Sequence, residues 1–155
     1  MTLLSIDPGK RIGYALFTDA GEDIERGVIQ FDDWFSEPYR AVEIVNLLPT
    51  RKPNLLFKER CYEITQLVVE GFRHDPDIPQ GGSLHEASQI VGAVKTLAAV
   101  TNTPIAVQYS RILPVAMMHA GYEPPKTRTG NKKHLPDEDS AWLHGRYWLT
   151  ERGVI

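Results

Sequence analysis

The chain has 155 residues, 42% hydrophobic and 24% charged, with a formal net charge of -3. That length and apolar content suit one globular domain, 1–155, with a real core, and no apolar run approaches the ~18 residues of a membrane-spanning helix. The acidic balance counts against nucleic-acid binding, because domains that grip phosphates are usually basic. The charge is uneven, however: Lys126, Arg128, Lys132 and Lys133 fall in one stretch, 126–134, that holds no acid. Carboxylates that hold divalent metals would also have much of their charge cancelled. The single cysteine, Cys61, makes no internal disulfide, and the N-terminus has no basic region before its first acid. A cytoplasmic location, in a cell or a phage-infected host, is therefore expected.

In chain order, Leu3-Leu4-Ser5-Ile6-Asp7 is a short apolar run stopped by Pro8-Gly9. Gly13-Tyr14-Ala15-Leu16-Phe17 reads as a second strand, and a turn at Asp19-Ala20-Gly21 leads to a third over 25–31. Residues 38–48 have helical spacing at Ala41, Ile44, Val45 and Leu48. The stretch 50–63 is ambiguous, broken by Pro53, with more helix a candidate. Gln66-Leu67-Val68-Val69-Glu70 reads as a buried strand ending in a charge. Residues 73–82 form a loop. Residues 83–100 are the clearest helix, with Ser83 as N-cap and Glu86 three residues on. Ile105-Ala106-Val107-Gln108-Tyr109 is a further strand. A short helix over 111–119, interrupted near Pro114, a polar stretch over 121–135 and a closing helix over 136–151 with Pro in its first turn complete the chain. A meander followed by alternating helix and strand predicts an α/β fold: a mixed five-stranded sheet, three antiparallel strands and then parallel ones, flanked by helices.

Three acids stand where strands end or a helix begins: Asp7, Glu70 and Asp139. An acid at the tip of a buried strand faces the crevice where α/β sheets bind ligands. Converging carboxylates make a hard-oxygen site suited to Mg²⁺ or Mn²⁺. A pair of such ions ~3.5–4 Å apart can clamp the attacking and leaving oxygens of a phosphodiester. Each acid alone has a plainer reading, since strands end in solvent and acids favour the first turn of a helix.

Ser5-Ile6-Asp7-Pro8-Gly9 followed by Gly13-Tyr14-Ala15 resembles the opening motif of the RuvC-type Holliday junction resolvases. Val68-Val69-Glu70-Gly71-Phe72 resembles their second motif, and Asp139-Ser140-Ala141-Trp142-Leu143 their terminal helix. The resemblance implies an RNase H-like fold, a homodimer, two Mg²⁺ ions (Mn²⁺ substituting) and cleavage of branched, four-way DNA. Metal-assisted hydrolysis through Asp7, Glu70 and Asp139 would leave a 5′-phosphate and a 3′-hydroxyl, with no covalent intermediate and no small-molecule cofactor. The family places a fourth acidic or histidine ligand three residues before the terminal Asp, where this chain has Pro136. His134, Asp137 and Glu138 are the neighbouring candidates, and His134-Leu135-Pro136-Asp137 is an alternative register. Asp139 is preferred because Trp142 and Leu143, three and four residues on, would mark the face turned to the sheet. Asp137 instead shares a face with Ser140 and Ala141.

Candidate DNA contacts are Lys10 and Arg11 after the first acid, Phe72 and Arg73 after Glu70, Arg111, and the basic group Lys126, Arg128, Lys132 and Lys133. Phe72 is the residue the resemblance offers as a base-stacking aromatic, although the family's own lies slightly further on. Trp142, Tyr147 and Trp148 read as packing residues. Gly92 and Ala93 could permit close helix contact, in a dimer or within the chain. Cutting two strands symmetrically needs two sites, which a two-fold dimer supplies, with the helix over 83–100 as a candidate interface. The competing readings are an RNase H or exonuclease on the same fold, an ATP-binding domain with a similar opening hairpin, and a non-catalytic DNA-binding protein that has kept the fold.

Overall fold

The computed structural model describes residues 2–9, 11–30, 50–51, 54–57, 62–71, 83–126 and 135–155. The expected helix over 38–48 and the loop over 73–82 lie outside the described residues. Three antiparallel strands open the chain: β1 (Thr2–Asp7), β2 (Arg11–Thr18) and β3 (Asp23–Gln30). Short strands β4 (Thr50–Arg51), β5 (Asn54–Phe57) and β6 (Tyr62–Ile64) pair antiparallel in a small second sheet. The described residues of the ambiguous stretch after Thr50 thus pair as strands and not as helix. Thr65 ties this sheet to the start of β1: its backbone N–H donates to Thr2 O at 3.0 Å, and its Oγ1 accepts from Thr2 N at 3.0 Å.

The chain then enters β7 (Gln66–Gly71), helix α1 (Ser83–Thr101) and β8 (Ile105–Tyr109). A 3₁₀ turn over Ser110–Ile112 leads into helix α2 (Leu113–Ala120), and helix α3 (Asp137–Glu151) follows. Pro114 sits in the first turn of α2, where its missing N–H costs nothing, so it starts that helix instead of interrupting it. The main sheet has the order β3-β2-β1-β7-β8, with β1, β7 and β8 parallel. This is the mixed sheet expected from the sequence.

Both faces of the central strands are covered, which explains why β1 and β7 read as continuous apolar runs. Alternation along each strand sends Leu4, Ile6, Leu67 and Val69 to one face, where they pack with Ile90, Val91, Val94 and Leu97 of α1. It sends Leu3, Ala15, Phe17 and Val68 to the other, against Ala141, Trp148 and Leu149 of α3. Each fully buried Leu or Ile stabilises by roughly 1.5–3 kcal/mol relative to exposure.

Helix α3 lies unusually close to the sheet. A Cβ on Gly145 would come within 2.3 Å of the Phe17 ring and 3.1 Å of Ser5 Cβ, and one on Gly13 would fall 2.0 Å from the carbonyl oxygen of Asp137. Gly13 therefore seats the first turn of α3 on β2, and Gly145 seats its middle. Gly145→Ala should lower stability by about 1–3 kcal/mol through overpacking. Gly92→Ala on α1, where a new Cβ meets nothing within 4 Å, should be neutral or add up to ~1 kcal/mol of helix propensity. Urea midpoints measure both, and equal midpoints would show that α3 does not sit this close.

Candidate active site

Parallel pairing of β1 and β7 places Ile6 beside Val69. The next residues along, Asp7 and Glu70, stand together at the C-terminal ends of the two strands and face α3, two residues past Ser5 and Val68. The two carboxyls and the Ser140 side chain of α3 stand close enough to act on one another's protonation. Glu70 is buried and Asp7 partly so.

Two carboxyls in one water-poor place do not ionise together easily. Burial, and then the charge of Glu70, push Asp7 up to about 8 from 3.8, with Asp137 adding to the rise. Burial raises Glu70 as well, but the His144 imidazole, assisted by bonds from Asp7 and Ser140, brings it below its ordinary value. The two carboxyls therefore titrate as a pair, with Asp7 the member whose proton is held to higher pH.

The sequence reading missed His144. It is fully buried on α3, with Nδ1 2.9 Å from Gln108 Oε1 and Nε2 3.5 Å from Glu70 Oε2. Gln108 is the register partner of Glu70 across β7 and β8. The 3.5 Å approach is an electrostatic contact without hydrogen-bond geometry, so among the described residues Nε2 is a buried nitrogen without a hydrogen-bond partner. Ser140 was missed too. Ser140 stands in the terminal-helix motif without having been singled out and His144 lies just beyond it; both lie at helical spacing from Asp137, at three and seven residues, which is the signal that could have found their role.

The placement of the helix acids differs from the expectation. Asp137, not Asp139, is the acid of α3 whose charge acts on Asp7. It pairs with Arg11 at 3.5 Å. Asp139 is turned away: it accepts from Arg26 of β3 at 2.9 Å and from the Tyr122 hydroxyl. Burial and the Asp139 carboxylate hold that hydroxyl well above its usual range. Glu138 also acts on Tyr122, and its Oε2 is buried without a hydrogen-bond partner among the described residues. The physical reason is packing distance. The small residues Ser140, Ala141 and Gly145 let α3 approach the sheet, so their face is the inner one. Trp142 lies at the flank, its Nε1 donating to Asp23 at 3.0 Å and its ring bracketed by the guanidinium groups of Arg26 and Arg146 at 5.3 and 5.2 Å.

Among the described residues, no three Asp, Glu, His or Cys side chains converge closely enough to hold one ion. The close donors are Asp7 and Glu70, with Asp137 at the rim. Of the candidate DNA contacts, Arg11, Arg111 and Lys126 are exposed, Arg111 lying 6.0 Å over the Tyr109 ring. Lys10, Phe72, Arg73, Arg128, Lys132 and Lys133, and the alternative ligand His134, lie outside the described residues.

The proton on Asp7 makes stability depend on pH. A carboxyl whose folded value is raised stabilises fully below its unfolded value and loses that contribution as pH rises through the folded one. Glu70, lowered, does the opposite, and its contribution is lost only as pH falls below its ordinary 4.5. In EDTA the protein should lose stability from about pH 5 to 8, with a slope of at most ~1.4 kcal/mol per pH unit, one proton's worth. Asp7→Asn should flatten that slope. Urea midpoints across the range measure it, and an identical slope in the variant would show that Asp7 is not the group titrating.

Among solved structures, the chain is similar to two of Thermus thermophilus RuvC. The structure of that protein in complex with a Holliday junction substrate superposes with a TM-score of 0.58 at 13% identity, over 99% of this chain and 97% of that one. A second RuvC structure gives 0.56 at 13%, over 99% and 98%. No protein-family model and no curated protein sequence matches the chain. The likeness shows the fold: an RNase H-like mixed sheet flanked by helices, of the RuvC kind.

Proposed function

We propose that the chain is a divalent-metal-dependent endonuclease acting on branched DNA, with the four-way junction as its main substrate. The observation that carries this reading is the Asp7–Glu70 pair. Two carboxyls pressed together out of water cost folding energy, so their retention calls for a counter-charge, and a cation can take the place of the shared proton. All-oxygen donors suit Mg²⁺ or Mn²⁺. Asp7 and Glu70 would hold the metal, with Asp137 as the third acid in place of Asp139. When bound, a pair of such ions supplies water activation and charge stabilisation at the leaving 3′-oxygen.

The chain's own residues do the positioning. Ser140 holds the two carboxyls in fixed relation, and His144, backed by Gln108, keeps Glu70 ionised. Arg11, Arg111 and Lys126 would meet phosphates, joined by Lys10, Arg73, Arg128, Lys132 and Lys133. The likeness to a RuvC structure solved with a Holliday junction supports that choice of substrate. A homodimer would provide two sites for paired cuts. One exposed stripe of α1, at Gln89, Thr96 and Val100 (the last 70% exposed), is a candidate contact.

The test is cleavage of labelled four-way junction, flap, duplex and RNA–DNA hybrid, in Mg²⁺ and in EDTA. The junction should be cut in Mg²⁺ only. Asp7→Asn and Glu70→Gln should lose roughly 10³-fold or more, the rate equivalent of the several kcal/mol that metal-ion charge stabilisation supplies. Asp137→Asn should fall well below Asp139→Asn. Cleavage in EDTA, or full activity in Asp7→Asn, would remove the reading, and the reverse ranking of the helix acids would restore Asp139 to the site.

A further inference from the structure

The strand ends that carry the carboxylates have a second side. Glu70 faces α3, so its neighbour Gly71 faces α1. There Gly71, Val91, Gly92, Lys95, Val107 and Tyr109 line a cleft of ≈ 250 Å³ between α1 and the ends of β7 and β8.

Two glycines shape it. Gly71 forms part of the floor, where a Cβ would come 2.4 Å from Val107 Cγ1 and 3.2 Å from the Tyr109 ring. Gly92 forms part of the wall in mid-helix, where glycine lowers helix stability by about 1 kcal/mol relative to alanine. Packing among the described residues does not require it: Gly92 is exposed, and a Cβ there meets none of them within 4 Å. The notch is open to something from outside.

We propose that this cleft takes an unpaired base of a DNA strand whose phosphates pass the Glu70 edge, an inference that rests on the nuclease reading above. The lining fits a base. Val91 and Val107 are apolar walls, Tyr109 offers an aromatic ring carrying the Arg111 guanidinium at 6.0 Å, and exposed Lys95 stands at the rim to meet a phosphate. The space suits one flat ring system and is too small for a docked helix. Because Gly71 directly follows Glu70, a base held here fixes the strand next to the carboxylates. Unpaired bases occur at branch points, so the cleft selects branched over continuous duplex DNA.

The test uses Gly92→Leu, which fills the notch without a backbone clash, and Lys95→Ala. The probe is a four-way junction carrying 2-aminopurine at the branch point, with Ca²⁺ in place of Mg²⁺ for binding and Mg²⁺ for cleavage. Wild type should change the 2-aminopurine emission on binding. Gly92→Leu should still bind but leave the emission unchanged, with cleavage down about tenfold, the scale of one lost base stack. Lys95→Ala should keep the emission change and weaken the salt dependence of binding. An emission change in Gly92→Leu equal to wild type overturns the cleft while leaving the nuclease reading intact. So does a Gly92→Leu protein whose light-scattering mass falls from that of a wild-type dimer to 17.5 kDa, which would make the notch a contact between copies. Failure of wild type to bind any junction overturns both readings.

Discussion

Two carboxyl groups, Asp7 and Glu70, are held side by side by the parallel pairing of β1 with β7, in a place where they cannot both ionise without help. The rest of the site follows from that constraint. Asp7 is held protonated to higher pH than a free carboxyl, Ser140 stands beside both groups, and His144 sits against Glu70 with Gln108 behind it. The partners come from four elements, so the arrangement exists only once β1, β7, β8 and α3 are assembled. A protein selected for stability alone would gain by replacing such a pair with apolar side chains.

Helix α3 does two jobs on two faces. Its inner face brings Asp137, Ser140 and His144 to the carboxyl pair, seated by the missing side chains of Gly13 and Gly145. Its flank carries Asp139, Trp142 and Arg146, which tie it to Arg26 and Asp23 of the edge strand β3 and to Tyr122. The flank network contributes modestly as ion pairs, because Arg26 is half exposed. It ties the outer side of α3 to β3 and Tyr122, on the side away from the small residues that seat the helix on the sheet.

The sheet was legible in the sequence because β1, β2 and β7 announce themselves by apolar runs with clear stops at Pro8, Gly21 and Glu70. Asp7 and Glu70 were legible because a charge ending a buried strand is a local feature. The phase of α3 was not. Trp142 and Leu143 are the largest apolar residues near its start and invite the inference that they face the sheet, but close approach is made by small residues, and Ser140, Ala141 and Gly145 occupy the inner face. His144 offered only its helical spacing from Asp137, since its role depends on Gln108 from a strand 36 residues away. The strands β4 to β6 were hidden by their shortness and by Pro53 among them.

The central claim is that the Asp7–Glu70 pair exists to take a divalent cation. Calorimetric titration of the metal-free protein with Mn²⁺ at pH 7, in two buffers of different ionisation enthalpy, tests it most directly. Binding should be saturable and release about one proton as the metal displaces it from the pair, and Asp7→Asn should lose both the affinity and the proton release. No saturable binding, or binding undiminished in Asp7→Asn, would contradict the account.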